Sequence, residues 1–261
     1  MQNITVILAG GIGARVGGNT PKQLLPLQDG KSVLEHAVNA FEQSPHIHEI
    51  CIVMHPDYIA HAEQMLLANA WQKVRHIIPG GKERWESSVN AIRAYTQASP
   101  KSSPKGKDFN SEEIHPSLQG GDGGRLVDTG VNLLLHDAAR PFVSQDIIAR
   151  VCEALEEHKA VTVAIPSTDT AYEMVDGKVA RIPQRSTIMR AQTPQAFRLN
   201  LIAEAYAKAL GVDSLSAEAC ATCYLPATDD CGIVHEHMPE IPIHIVLGEE
   251  QNKKITFKED I

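Results

Sequence analysis

The sequence predicts an α/β protein with a mostly parallel sheet and helices on both of its faces, and three observations carry that prediction. Short β-branched runs alternate with helix-length segments of helical periodicity along most of the chain. The first run breaks into glycines where a strand would hand over to a helix. Apolar residues make up 43% of the 261, enough to fill a core between sheet and helices.

In order, NITVIL reads as a strand, SVLEHAVNAFEQ as a helix, EICIVMH as a strand, IAHAEQMLLANAW as a helix and KVRHIIP as a strand. VNLLLHD, IIARVCEALEEH and AVTVAIP continue the alternation, and IPIHIVLG supplies a last strand. Strands joined through helices need right-handed crossovers, which place helices on both faces and give three α/β/α layers. Ligands of such sheets bind at the carboxyl ends of the strands.

Two stretches break the pattern. From residue 99 to about 126 the chain is rich in Ser, Pro, Gly and charge, a composition that buries too little to offset the entropy of ordering, so it is read as a mobile surface insertion. The segment TDTAYEMVDGKVARIPQR, within an arm at about 168–190, flanks Asp176-Gly177, a hairpin turn signal. Its flanks are too polar for a central strand, so a protruding arm is expected, of the kind that exchanges between subunits. Residues 1–261 are expected to form a single domain that carries both segments.

A formal net charge of -8 argues against a surface that adheres to nucleic acid or anionic lipid. No apolar run approaches the roughly 18 residues of a membrane helix, and no signal-peptide pattern opens the chain. Five cysteines, an odd number in a long chain, do not look like a disulfide framework. A cytoplasmic protein, with neither nucleic acid nor membrane as partner, is the expectation.

The stretch VILAGGIGARVGGNTPKQLLP fits neither common nucleotide loop. Gly11 and Gly13 are followed by Val16 where a dinucleotide fingerprint needs glycine, and Gly30-Lys31-Ser32 has Leu25 where a P-loop needs one. Backbone amides of Ala9, Gly10, Gly11 and Gly13 could still wrap a polyphosphate, with Arg15 and Lys22 adding full charge. On the residues alone, a plain connecting turn with surface cations is as good a reading.

The pattern Leu8 to Gly11, Gly13, Arg15 and Pro21-Lys22-Gln23 resembles the signature of nucleotidyltransferases that join a nucleoside triphosphate to a sugar phosphate. Further along come GGKERWESSVNAI, HDAARPF, Asp169-Thr170, RSTIMRAQTPQAF, ATDD and NKKIT. In that order they resemble the 2-C-methyl-D-erythritol 4-phosphate cytidylyltransferase family and its close relative, the ribitol-5-phosphate cytidylyltransferases. The resemblance runs from residue 4 to the end apart from the polar stretch.

It implies a Rossmann-like nucleotidyltransferase fold, CTP and a sugar-alcohol phosphate as substrates, Mg²⁺ or another divalent cation, and a homodimer formed through the β-arm. Arg15, Lys22 and Lys254 are carried over as catalytic. Leu8, Ala9, Gly10, Gly11, Gly13, Gly81, Ser87 and Ala138 match CTP-binding positions. Asp137, Arg140, Thr170 and Arg185 match the acceptor site, with Asp137 also the metal ligand. Asp137 directly follows VNLLLH, so it belongs at the carboxyl end of a strand, where one carboxylate suffices for Mg²⁺ bridging a triphosphate. Without the resemblance, Asp137 also reads as a turn or cap residue, Lys254 and Arg185 as surface cations, and Ser87 as part of a helix's first turn.

The sequence departs from the family in the long polar stretch, in Ala171-Tyr172 after Asp169-Thr170, and in stopping at KEDI where relatives usually continue into a further helix. Ala139 in HDAARP favours the methylerythritol acceptor over ribitol phosphate. Two other classes are open: a zinc site from Cys220, Cys223, Cys231, His235 and His237, and a nucleotide-binding protein without turnover. A buried free-cysteine reading competes with zinc, since EACATC has the look of a helix. His136 is read as a structural hydrogen-bond partner rather than a base, because a phosphate nucleophile needs no deprotonation.

Overall fold

The computed structural model describes residues 1–11, 21–96, 130–215, 225 and 228–260, excepting the Lys258 side chain. Seven strands form one sheet in the order β3-β2-β1-β4-β8-β5-β9. They are β1 (Gln2–Ala9), β2 (Glu49–Met54), β3 (Val74–Pro79), β4 (Val131–Asp137), β5 (Ala160–Pro166), β8 (Met189–Arg198) and β9 (His244–Leu247). A separate two-stranded hairpin pairs β6 (Glu173–Val175) with β7 (Lys178–Arg181).

The strand register sorts side chains onto two faces with a period of two. Ile4, Val6 and Leu8 of β1, with Cys51 and Val53 of β2, pack against α3 (Arg84–Thr96), α5 (Leu199–Leu210) and α6 (Asp230–His237). Ile7 and Ala9 of β1, with Ile50, Ile52 and Met54 of β2, pack against α1 (Val33–Glu42), α2 (Ile59–Asn69) and α4 (Gln145–Glu157). Because both faces are covered, β1, β2 and β4 read as near-continuous apolar runs, as parallel strands must.

Helix ends follow local chemistry. Ser32 and Glu35 form a reciprocal capping box at the start of α1, and Asp229 caps α6 by accepting from the Gly232 amide. Gly211, at φ +66°, closes α5 in the left-handed conformation that glycine adopts without strain.

From β1 the chain winds outward through β2 and β3, then returns to place β4 on the other side of β1. The strand order therefore reverses between β1 and β4, the place where such sheets open a crevice.

The sequence reading needs one correction here. Strand β8 is central and antiparallel to both β4 and β5, and no strand was expected over MRAQTPQAFR. Proline ordinarily excludes a central strand because it cannot donate to the ladder. Here the register jumps from Thr162 opposite Gln195 to Val163 opposite Gln192, so Thr193 and Pro194 bulge out of the ladder. The sequence pattern likewise sets no bounds for α3 and α5. The hairpin turns at Asp176 and Gly177, both at positive φ, as the dipeptide predicts. The polar stretch from 99 to 126 and EACATC lie outside the described residues.

Candidate active site

A cleft of about 440 Å³ opens at the carboxyl ends of β1 and β4. Its floor is the β1 terminus, Leu8 to Gly11, and its walls are the loop from Gly81 into α3 on one side and Asp137 to Ala139 on the other. Lys22 and Lys254 reach it from segments far apart in sequence.

The glycines permit close backbone approach. A Cβ on Gly10 would stand 2.8 Å from Ser87 Oγ, and one on Gly81 would stand 2.1 Å from Glu86 Cβ. Ser87 is buried in the first turn of α3, and its hydroxyl accepts from the Gly81 amide at 3.1 Å. Glu86 accepts from the Lys82 and Glu83 amides, which fixes the rest of that loop.

Much of each sequence motif is scaffold for a few charged groups. The Gln23 amide donates to the carbonyls of Ala9 and Gly11, tying the lysine-bearing turn to the glycine turn. Asn252 donates to Gln192 Oε1 and to the Thr193 carbonyl, tying NKKIT to β8. Gln195 accepts from the amides of Asp230 and Cys231 and donates to Asp229, seating α6 on the sheet. Lys22 Nζ donates to the Ile255 carbonyl at 2.8 Å.

Asp137 is the electrostatic centre. Its Oδ2 meets Lys254 Nζ at 2.7 Å and its Oδ1 meets Arg84 Nε at 3.2 Å. Burial alone would raise the Asp137 carboxyl, but Arg84, then Lys254 and Arg140, hold it well below the usual carboxylate range. It is ionised throughout the physiological range. Arg84 also touches the fully buried Asp230 at 2.7 Å, and these two carboxylates keep its guanidinium charged against the pull of burial.

His136, fully buried beside Asp137, is locked by its neighbours. The Arg140 carbonyl can only accept, so Nε2 carries the proton of the neutral ring; Nδ1 then accepts from the Thr193 hydroxyl, whose oxygen accepts in turn from the Asp137 amide. Burial pushes this imidazole down to about 4. Both ring nitrogens are used structurally, as the sequence reading expected.

Among the expected site residues, Leu8, Ala9, Gly10, Gly11, Lys22, Gly81, Ser87, Asp137, Ala138 and Lys254 line the cleft. Arg140 lies next to it and spends its guanidinium on the carbonyls of Asn252 and Ala191. Thr170 and Arg185 do not line it. Both are exposed at the base of the hairpin, where Arg185 turns back toward the Thr168 carbonyl. Gly13 and Arg15 lie outside the described residues. Arg84 is the residue that sequence reasoning missed. It stood inside the quoted GGKERW, but without a helix boundary at that point nothing aimed it at the strand ends.

Among the described residues no group of three metal-ligating side chains forms. Cys231 is buried with its thiol pushed far up by desolvation, and Cys220 and Cys223 lie outside the described residues. No helix among the described residues is long and apolar enough to cross a membrane.

A glycine-floored cleft at the switch point of a doubly wound sheet, with cations converging on it, defines an enzyme of the nucleotidyltransferase class. Within that class the chain belongs to the 2-C-methyl-D-erythritol 4-phosphate cytidylyltransferase family, whose model matches residues 3–101 and 125–261. The two matched spans leave out most of the polar stretch. A relative of that name from Thermobifida fusca is 37% identical over 98% of this chain and 88% of its own length. A bifunctional ribulose 5-phosphate reductase/CDP-ribitol pyrophosphorylase from Haemophilus influenzae is 32% identical over the whole chain and 47% of its own length. The crystal structure of 4-diphosphocytidyl-2C-methyl-D-erythritol synthase from Anaerococcus prevotii shares the fold, with a TM-score of 0.71 at 24% identity, covering 99% of this chain and 92% of that one.

Proposed function

We propose that this protein transfers the cytidylyl group of CTP to 2-C-methyl-D-erythritol 4-phosphate, a step of non-mevalonate isoprenoid precursor synthesis. A phosphate oxygen of the acceptor forms a bond to the α-phosphorus of CTP while the bond from that phosphorus to the β-phosphate bridging oxygen breaks. Pyrophosphate leaves with the electron pair. The nucleophile is an anion at neutral pH, so the step needs alignment and charge stabilisation rather than a base.

The observation that carries this reading is the convergence of Lys22 and Lys254, from opposite ends of the chain, on the glycine-floored cleft. Lys22, Lys254 and, by the family pattern, Arg15 would neutralise charge on the triphosphate as it spreads in the transition state. The backbone of Ala9 to Gly11, Gly13 and the loop at Gly81 would cradle the phosphates and cytosine, with Ser87 bracing that loop and Leu8 and Ala138 closing the floor.

The donor set fits a divalent cation. Asp137 is an ionised carboxylate in the cleft, and Mg²⁺ asks few protein ligands because it keeps waters and phosphate oxygens. Asp137 would hold it, Lys254 then passing to a phosphate oxygen. The cation would supply further neutralisation of the triphosphate.

The arm supports a homodimer. Tyr172, Met174, Val175, Val179 and Ile182 expose large apolar side chains along it, a surface that a second copy would cover. Thr170 and Arg185 at its base would then meet the acceptor with Arg140 in a site shared between subunits. Free buried Cys51, Cys152 and Cys231 suit a reducing cytoplasm.

Pyrophosphate release with CTP and each of two acceptors, methylerythritol phosphate and ribitol 5-phosphate, tests the proposal. Release with the first at a clearly higher kcat/KM is expected. A preference for ribitol 5-phosphate would move the protein to the activity named for the Haemophilus relative, and release with neither would overturn the reading.

A further inference from the structure

We propose that Arg84 is a positioning residue, anchored from behind by Asp230 and Tyr206, which keeps the Asp137 carboxylate aimed into the cleft when Lys254 moves to the nucleotide. The inference rests on the cytidylyltransferase reading and assigns this site a support that reaches through the core to α5 and α6.

The argument begins with what each cation is free to do. Lys254 has a flexible stem, its side chain is 43% exposed, and it holds Asp137 from the solvent side. A phosphate entering the cleft offers it a stronger partner at little desolvation cost. Arg84 is 26% exposed and is bound on its inner side to Asp230, which is 0% exposed. Were Arg84 to swing toward phosphate, it would leave a carboxylate buried without a counter-charge, which is strongly unfavourable. One cation can be exchanged and the other cannot.

The anchor itself is tied down. Tyr206 Oη, buried in α5, donates to Asp230 Oδ1 at 2.7 Å, and the Asp230 amide donates to Gln195 Oε1 of β8. The contact from Arg84 to Asp230 Oδ2 is held by charge at 2.7 Å rather than by an aligned hydrogen bond. The aligned bond of the guanidinium is the one its Nε–H makes to Asp137. On the Asp137 side, the main-chain N–H donates a hydrogen bond to Thr193 Oγ1, which leaves the carboxylate torsion to be set by its partners. When Lys254 departs, Arg84 is the partner that stays.

Arg84 lines the cleft, but with its guanidinium held between two carboxylates it affects turnover through Asp137 rather than by binding phosphate. Loss of Arg84, or loosening of its anchor, lets the carboxylate rotate, and misplacement of about 1 Å is enough to lower rate substantially. Nucleotide affinity is affected much less, because the groups that bind phosphate directly remain.

The test compares Arg84→Gln, Arg84→Lys and Tyr206→Phe with the wild-type full-length protein, measuring kcat and KM for CTP by pyrophosphate release. Rates are expressed per CTP-binding site, counted by calorimetry, so that unfolded protein does not enter the comparison. Tyr206→Phe removes a single oxygen and keeps the ring packed, so it remains informative if Arg84→Gln fails to fold. Expected are a kcat lower by about 100-fold in Arg84→Gln and about 10-fold in Tyr206→Phe, with KM for CTP within about 3-fold of wild type. Arg84→Lys, which keeps the charge but cannot span both carboxylates, should recover about 10-fold over the glutamine variant. A support that served the fold alone would lower the melting temperature and leave kcat per site unchanged in Tyr206→Phe and Arg84→Gln. That result would overturn the inference while the wild type's own turnover left the functional reading standing. A wild type inert with both acceptors would overturn both.

Discussion

Two neighbours in β4 show how burial assigns opposite roles to adjacent residues. Asp137 stays charged because cations flank it, whereas His136 stays neutral because the core surrounds it and its two nitrogens are spoken for. The histidine makes the fold pH-sensitive in a defined window. Its folded value of about 4 lies below the ordinary imidazole value of about 6.5, so the unfolded chain binds this proton more readily. The stability it contributes is complete above the unfolded value and is lost as pH falls toward the folded one. Thermal unfolding followed from pH 7 to pH 4.5 should show the midpoint falling, and His136→Asn should fall less steeply over the same range. Equal slopes in the two proteins would count against a neutral, locked imidazole.

At the scale of elements, the loop from Gly80 into α3 is where backbone geometry and recognition meet. Gly81 lies so close to Glu86 that any side chain must displace the loop or the helix start. Gly81→Ala should therefore raise KM for CTP by about 10-fold or more while the melting temperature moves little, since the strain can be relieved by shifting a surface loop. An unchanged KM would mean that this loop does not meet the nucleotide. The parallel strands and the helices α1, α2 and α4 were legible in the sequence because their apolar residues recur at one clear period. Strand β8 was not, because its alternation is interrupted by Thr193-Pro194 and by the glutamines that serve as ties between motifs. Arg84 was hidden for a related reason. Its partners Asp137 and Asp230 are distant in sequence, and only the packing of α3 and α6 on one face of the sheet brings them within reach. The floor residues and Lys22 were readable as a glycine turn with cations, while Lys254 came from family pattern alone, since a lysine in a charged tail carries no local signal.

The molecule as a whole is a sheet whose order reverses at one point, with its charged chemistry gathered there and its arm projecting elsewhere. Lys22 and Lys254 come together because the segment after β9 crosses back over the β4 end, where the Ile255 amide donates to the Ala139 carbonyl. Chain ends that meet at a crevice make the site depend on the complete fold. On the proposed reading, Thr170 and Arg185, exposed at the hairpin base, would meet the acceptor in a site shared with a second copy. The account stands on positive groups closing around a triphosphate, and a crystal structure of the protein with CTP and a divalent cation measures that directly. Lys22 and Lys254 should lie within hydrogen-bond distance of phosphate oxygens, with Asp137 released from Lys254 and still held by Arg84. A nucleotide bound in the cleft with both lysines turned away from its phosphates would contradict the account.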